Sequence, residues 1–206
     1  PYGGQATYSA MKIRTIWPAL AVALTGCVHI PTAEDGLSYE QRRTQLEKLE
    51  SWHMSGRITV DTGKRAYQGR FQWQQHGDSL EFSVRGPIGV GLMQIKGPMN
   101  SLTITSNGKT WQLEDPEKDL SELIGWWLPI SSLRSWLIGI PDPSYAGIET
   151  FGPADAIESL DQRFWELHFK NYQLTAGLML PSRVDLNHET LLLRIIIDDW
   201  APDILN

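Results

Sequence analysis

The sequence predicts a mainly β fold: one antiparallel sheet of about 9–11 strands, curved into an open barrel around about three short helices. Three observations predict it. Apolar and polar residues alternate with period two through most of residues 54–113 and again beyond 165. Tight-turn signals separate these runs: Asp61-Thr62-Gly63-Lys64, His76-Gly77-Asp78, Gly97-Pro98-Met99-Asn100 and Asn107-Gly108. Between the two blocks, over residues 115–141, the period becomes helical.

Taken in order, Ser38 is a helix cap with Gln41 three residues on, a capping box. Tyr39, Leu46 and Leu49 then share a face, which predicts an amphipathic helix from Ser38 to about Ser51. Met54, Gly56, Ile58 and Val60 alternate with Ser55, Arg57 and Thr59. Tyr67, Gly69, Phe71 and Trp73 alternate with Gln68, Arg70, Gln72 and Gln74, one face apolar and the other polar. Leu80–Val84, Val90–Lys96, Leu102–Ile104 and Trp111–Leu113 complete six short strands. Asp115-Pro116 places a cap and a first-turn proline before Leu120, Leu123, Ile124 and Trp127. Pro129 breaks that helix, and Leu133, Trp136 and Leu137 mark a second, ended by Gly139 and Pro141. Strand patterns resume at Trp165–Phe169, near Tyr172–Leu180, at Arg183–Leu186 and at Leu191–Asp198. Residues 147–161 carry no assignable pattern.

The N-terminus reads as a targeting segment. Met11-Lys12-Ile13-Arg14 supplies a start and two cations, and residues 16–24 form an apolar core too short for a permanent span. Leu24-Thr25-Gly26-Cys27 follows and looks like a bacterial lipobox, whose cysteine is lipidated after the signal is cut. A plain secretory signal with a chance cysteine is the alternative. Cys27 is the single cysteine, so its lipidation leaves neither thiol nor disulfide. The expected organisation is upstream residues and signal over 1–26, a lipidated N-terminus and tether over 27–37, and one domain over 38–206. By the sorting rule that the resemblance to bacterial lipoproteins carries over, Val28 rather than Asp after the cysteine implies the outer membrane.

Composition and charge narrow the function. The net charge is −6, and removal of Lys12 and Arg14 with the signal takes it to −8, so nucleic acid is a poor partner. There is no G-x-S-x-G elbow and no phosphate-cradling glycine loop. His188-Glu189-Thr190-Leu191-Leu192 lacks the second histidine of a zinc helix. The histidines at 29, 53, 76, 168 and 188 show no ligand spacing. No enzyme, metal or cofactor is expected. The unusual feature is apolar: nine tryptophans, with Trp126-Trp127-Leu128-Pro129-Ile130 and Trp136-Leu137-Ile138-Gly139-Ile140 between the two blocks. Such residues either plug the concave face as core or line a cavity for an apolar ligand.

One stretch breaks the turn chemistry. Arg85-Gly86-Pro87-Ile88-Gly89-Val90-Gly91 falls at a hairpin tip, where a bare isoleucine is out of place. Pro87 fixes one backbone angle, and Gly86 and Gly89 permit the turn on either side. Ile88 either folds back onto the sheet or is held outward.

Several pieces together resemble the LolB family of outer-membrane lipoprotein receptors, of the bacterial lipoprotein-localisation pathway. They are Phe71-Gln72-Trp73-Gln74-Gln75, Gly86-Pro87-Ile88-Gly89, Leu128-Pro129-Ile130 through Leu133, Arg134, Trp136, Leu137, Gly139 and Pro141, then Leu180-Pro181 and Asp198-Asp199-Trp200, along with the lipobox. The resemblance implies an open half-barrel closed by helices, anchored through Cys27 and facing the periplasm. It implies a monomer that accepts lipoproteins from the periplasmic carrier LolA and inserts them into the inner leaflet of the outer membrane, with no cofactor. Ile58, Val60, Phe71, Trp73, Phe82, Ile104 and Trp111 would line the wall for acyl chains. Leu123, Ile124, Trp127, Leu133, Trp136 and Leu137 would form the lid, and Pro87, Ile88 and Gly89 the membrane-insertion loop. Arg57, Arg65, Arg70 and Arg85 are the candidates for a basic patch that docks the carrier. The alternative is an outer-membrane lipoprotein with a filled core and a structural or assembly role, binding only proteins.

Overall fold

The computed structural model describes residues 3–4, 37–86, 92–189 and 191–203. The expected signal, Cys27 and Pro87-Ile88-Gly89 lie outside the described residues. Chain order is α1 (Tyr39–Glu47), β1 (Ser51–Asp61), β2 (Ala66–His76), β3 (Ser79–Arg85), β4 (Leu92–Pro98), β5 (Leu102–Ser106), β6 (Lys109–Leu113), α2 (Pro116–Ile124), α3 (Ile130–Leu137), β7 (Gly147–Phe151), β8 (Ile157–Gln162), β9 (Trp165–Thr175), β10 (Leu178–His188) and β11 (Leu191–Asp203). A single 3-10 turn, Pro153–Asp155, joins β7 to β8.

All eleven strands form one sheet in the order β6-β5-β4-β3-β2-β1-β11-β10-β9-β8-β7. Two antiparallel meanders, β1–β6 and β7–β11, are zipped together where the first strand pairs with the last, Ile58 opposite Ile195. That closure needs Gly56. The β1–β11 register shifts between Ser55 and Gly56, and a Cβ at residue 56 would sit 2.0 Å from the Ile196 carbonyl oxygen. Glycine lets the strands approach at this bulge.

One face of the sheet is buried. Met54, Phe71, Trp73, Leu80, Ile95, Leu102, Ile104, Leu167, Val184, Leu186, Leu193 and Ile195 all belong to one apolar core, as period-two alternation demands. The helices cover that face. Asp115 caps α2 by accepting from the Lys118 amide at 3.3 Å, Pro116 opens it, and Gly125 ends it at φ +83°. α3 carries Leu133, Trp136 and Leu137 into the core. Its position is fixed by buried polar contacts: Trp136 Nε1 donates to Gln162 Oε1 at 2.7 Å, and Ser132 Oγ donates to Asp142 Oδ2 at 2.6 Å. Ser38 and Gln41 form the expected capping box on α1.

The structure corrects three local expectations. α1 ends at Glu47, because the chain must turn to begin β1 at Ser51. Residues 172–180 are not one strand: Ala176 (φ +49°) and Gly177 (φ +82°) make a two-residue hairpin, and Leu178 pairs with Thr175. Alanine in the first of these positions hid the turn signal. Residues 147–161 form β7 and most of β8, extending the sheet edge.

Candidate functional site

The concave face is not filled everywhere. A cavity of about 610 Å³ opens between the β1–β4 and β11 part of the sheet and the segment from α2 to α3. That is within the range of sites holding a small organic ligand, roughly 300–1,000 Å³. The sheet supplies Met54, Ile58, Val60, Tyr67, Phe71, Trp73, Phe82, Val84, Met93, Ile95, Leu193 and Ile195, with Gly69 and Gly86 towards the strand ends. The helical side supplies Leu120, Ile124, Trp126, Leu128, Ile130, Leu133 and Leu137. Not one described wall residue is charged.

Its apolar character follows from strand geometry. On β2 and β3 the inward positions are Phe71, Trp73, Phe82 and Val84, whereas Arg70, Gln72, Glu81 and Arg85 point outward. Aromatic pairs stiffen the wall: Phe71 stacks on Phe82 at 6.3 Å, and Trp73 meets Phe82 edge-on at 5.6 Å.

Of the residues that the resemblance implied for acyl-chain contact, Ile58, Val60, Phe71, Trp73, Phe82, Ile124, Leu133 and Leu137 are on this wall. Five are elsewhere. Ile104 is buried in β5, and Trp111 packs against the core from the outermost strand, β6. Leu123 is 42% exposed on the outer face of α2. Trp136 is fully buried away from the cavity, held by Gln162. Trp127 turns from the cavity towards Trp165, 6.4 Å away, and His188, 5.5 Å away. Helical phasing misplaced it because Gly125 ends α2, and Trp126 takes the wall position instead. Leu193 and Ile195 were missed as well. Their alternation was visible, but the β1–β11 pairing that brings them to the site was not.

A polar cluster braces the lid from behind. The β8–β9 turn is Arg163-Phe164, both at positive φ, +53° and +64°. Arg163 Nη1 and Nη2 donate to Glu117 Oε1 and Oε2 of α2 at 2.9 and 2.7 Å. Arg163 Nη1 also reaches Ser132 Oγ of α3 at 2.9 Å, and the guanidinium lies 4.1 Å from the Tyr145 ring centroid and 5.4 Å from that of Trp127. Burial alone would raise the Glu117 carboxyl pKa. Hydrogen bonds from Arg163 and Ser131, with the charge of Arg163, outweigh it and hold that pKa below the ordinary range.

Other proteins resemble this chain in sequence or in fold. The family described as outer membrane lipoprotein LolB matches residues 50–200. A protein of Nitrosococcus oceani named outer-membrane lipoprotein LolB is 29% identical over 188 residues, covering 87% of this chain and 92% of its own length. One of the same name from Pseudomonas aeruginosa is 28% identical over 200 residues, covering 93% and 98%. Among solved structures, a LolA-superfamily protein from Nitrosomonas europaea superposes with a TM-score of 0.52 at 10% identity, over 83% of this chain and 96% of that one. That likeness shows the open antiparallel half-barrel. The family match spans most of the chain and runs through both strand blocks and the helices between them: the chain belongs to the LolB family of outer-membrane lipoproteins.

Proposed function

We propose that the chain is a receptor that takes lipidated proteins from the periplasmic carrier LolA, holds their acyl chains in the cavity, and releases them into the inner leaflet of the outer membrane. The observation that carries this reading is an uncharged cavity of about 610 Å³ on the concave face, beneath two short helices. Burying acyl chains there is favourable by about 0.8 kcal/mol per CH₂. Transfer then needs no nucleotide, because a client moves to whichever surface buries its chains better. In this reading Cys27 carries the anchor, residues 28–37 are the tether, and the protein works as a monomer on the periplasmic side. Pro87, Ile88 and Gly89 meet the leaflet. The role is non-catalytic.

The test is binding of a fluorescent fatty-acid probe to residues 28–206, which keep every described strand and helix and the described core from Leu46 to Trp200. Saturable binding is expected, and none at probe concentrations up to the solubility limit overturns the reading. The structural or assembly alternative predicts that absence. In the native bacterium, depletion is expected to stall lipoproteins on the carrier, and normal sorting would contradict it.

A further inference from the structure

The sheet's convex face carries an arrangement that strand physics disfavours. Arg57 of β1 is directly opposite Arg70 of β2, and Arg70 is directly opposite Arg85 of β3. Paired residues on neighbouring strands have their Cα atoms about 4.5–5.5 Å apart, and like charges so placed repel. The row continues the other way. Arg57 pairs with Ile196 of β11, which pairs with Arg183 of β10, which pairs with Lys170 of β9. Six strands thus hold five cations in one line on a chain whose net charge is −6.

Neutralisation is uneven along the row. Asp198 accepts two hydrogen bonds from Arg57, at 3.1 and 2.8 Å. Asp185 faces Arg183, Arg194 and Lys170 at 2.6, 2.9 and 3.5 Å. Arg70 and Arg85 are exposed and meet no carboxylate among the described residues. They also have a particular address. Their chain neighbours Gly69 and Gly86 are part of the cavity wall, so these two cations stand back to back with its rim.

We propose that Arg70 and Arg85, flanked by the Asp198-paired Arg57, form a cationic strip that holds the phosphates of anionic phospholipids where the cavity rim meets the membrane. This rests on the receptor reading above. A leaflet presents phosphates in a plane, which matches cations set in a line on a sheet. An acidic chain is repelled by an anionic leaflet as a whole. A local strip therefore orients as it attracts, turning the rim towards the leaflet and the acidic remainder away. Bound phosphates would relieve the repulsion between Arg70 and Arg85, which no carboxylate among the described residues offsets in the free protein.

The experiment measures co-sedimentation of residues 28–206 with phosphatidylcholine vesicles, with and without about 30% phosphatidylglycerol, at about 0.01 and 0.15 M salt. The wild type is expected to prefer the anionic vesicles, more so at low salt. Arg70→Gln/Arg85→Gln is expected to lower anionic-vesicle affinity roughly ten- to thirtyfold. Arg70→Lys/Arg85→Lys keeps the charge and is expected to retain binding, which separates charge from folding. Equal binding to both vesicle types, or a glutamine pair that binds as the wild type does, overturns the proposal. So does a glutamine pair that keeps vesicle binding but loses the carrier, since the strip then serves an acidic protein. Fatty-acid probe binding is measured on the same samples. Its failure in the wild type strikes the cavity reading and leaves the strip to the vesicle data.

Discussion

Arg163 and Glu117 are joined by two hydrogen bonds, 2.9 and 2.7 Å, that tie the β8–β9 turn to the first turn of α2. The turn is itself strained, since Arg163 and Phe164 both occupy the left-handed region, at about 1–2 kcal/mol each. The ion pair and the ring contacts of Arg163 offset that strain. Arg163→Met is therefore expected to cost about 2 kcal/mol and to lower Tm by roughly 4–8 °C. Phe164 is 92% exposed and holds nothing in place, so Phe164→Gly is expected to raise Tm. Thermal unfolding of the two variants checks both signs, and an unchanged Tm for Arg163→Met refutes the brace.

The same pair gives the fold an acid limb. Glu117 has a folded pKa below its unfolded value, which is about 4.3. Its contribution is therefore present above that value and is lost as pH falls through the folded pKa. Asp185 behaves alike: burial would raise its pKa, but hydrogen bonds and charge from Arg183 and Arg194 lower it. Urea midpoints are expected to hold from neutral pH to about 5 and then to fall towards pH 3. Glu117→Gln should be less stable at neutral pH and less steep below pH 5. An equally steep acid limb in that variant would assign the acid sensitivity elsewhere.

The period-two pattern made most of the sheet legible, because Phe71, Trp73, Phe82 and Ile195 face the core wherever the strands run. Turn chemistry was legible where glycine or asparagine supplied the positive φ, as at Asn107-Gly108. It was not at Ala176-Gly177 or Arg163-Phe164, where Ala176, Arg163 and Phe164, none of them residues that favour positive φ, adopt it. Side-chain direction beyond a helix end was illegible as well. Trp126 and Trp127 differ by one residue, and only the stop at Gly125 decides which meets the cavity. The closure of β1 on β11 spans almost the whole domain, and no local pattern encodes it.

Wall and core are separable by mutation. Val60 is half-buried on the cavity wall, with open space before it. Val60→Phe is expected to leave Tm within about 3 °C of the wild type while weakening fatty-acid probe binding roughly tenfold. Trp136 is buried off the wall, and Trp136→Phe leaves the Gln162 carbonyl without that donor. It is expected to cost about 1–3 kcal/mol and to leave probe affinity unchanged. The reverse pattern, with binding lost in Trp136→Phe and kept in Val60→Phe, would move the ligand out of this cavity.

Ile88 is the last test, and the most direct one of delivery. β3 and β4 pair up to Arg85 opposite Leu92, so Ile88 falls in the chain between those two strand ends, two residues after the rim residue Gly86. Anchoring is not the task of this isoleucine. Burying one yields roughly 1.5–3 kcal/mol, which a lipidated Cys27 exceeds by roughly tenfold. On the proposed receptor reading its small energy counts where position matters, at the rim from which a client would leave. Ile88→Glu adds a charge that resists entry into the leaflet. The variant is expected to keep its Tm and to accept client from the carrier as the wild type does. Transfer onward to liposomes should slow by at least about tenfold. Transfer at the wild-type rate would mean that release does not pass through this loop.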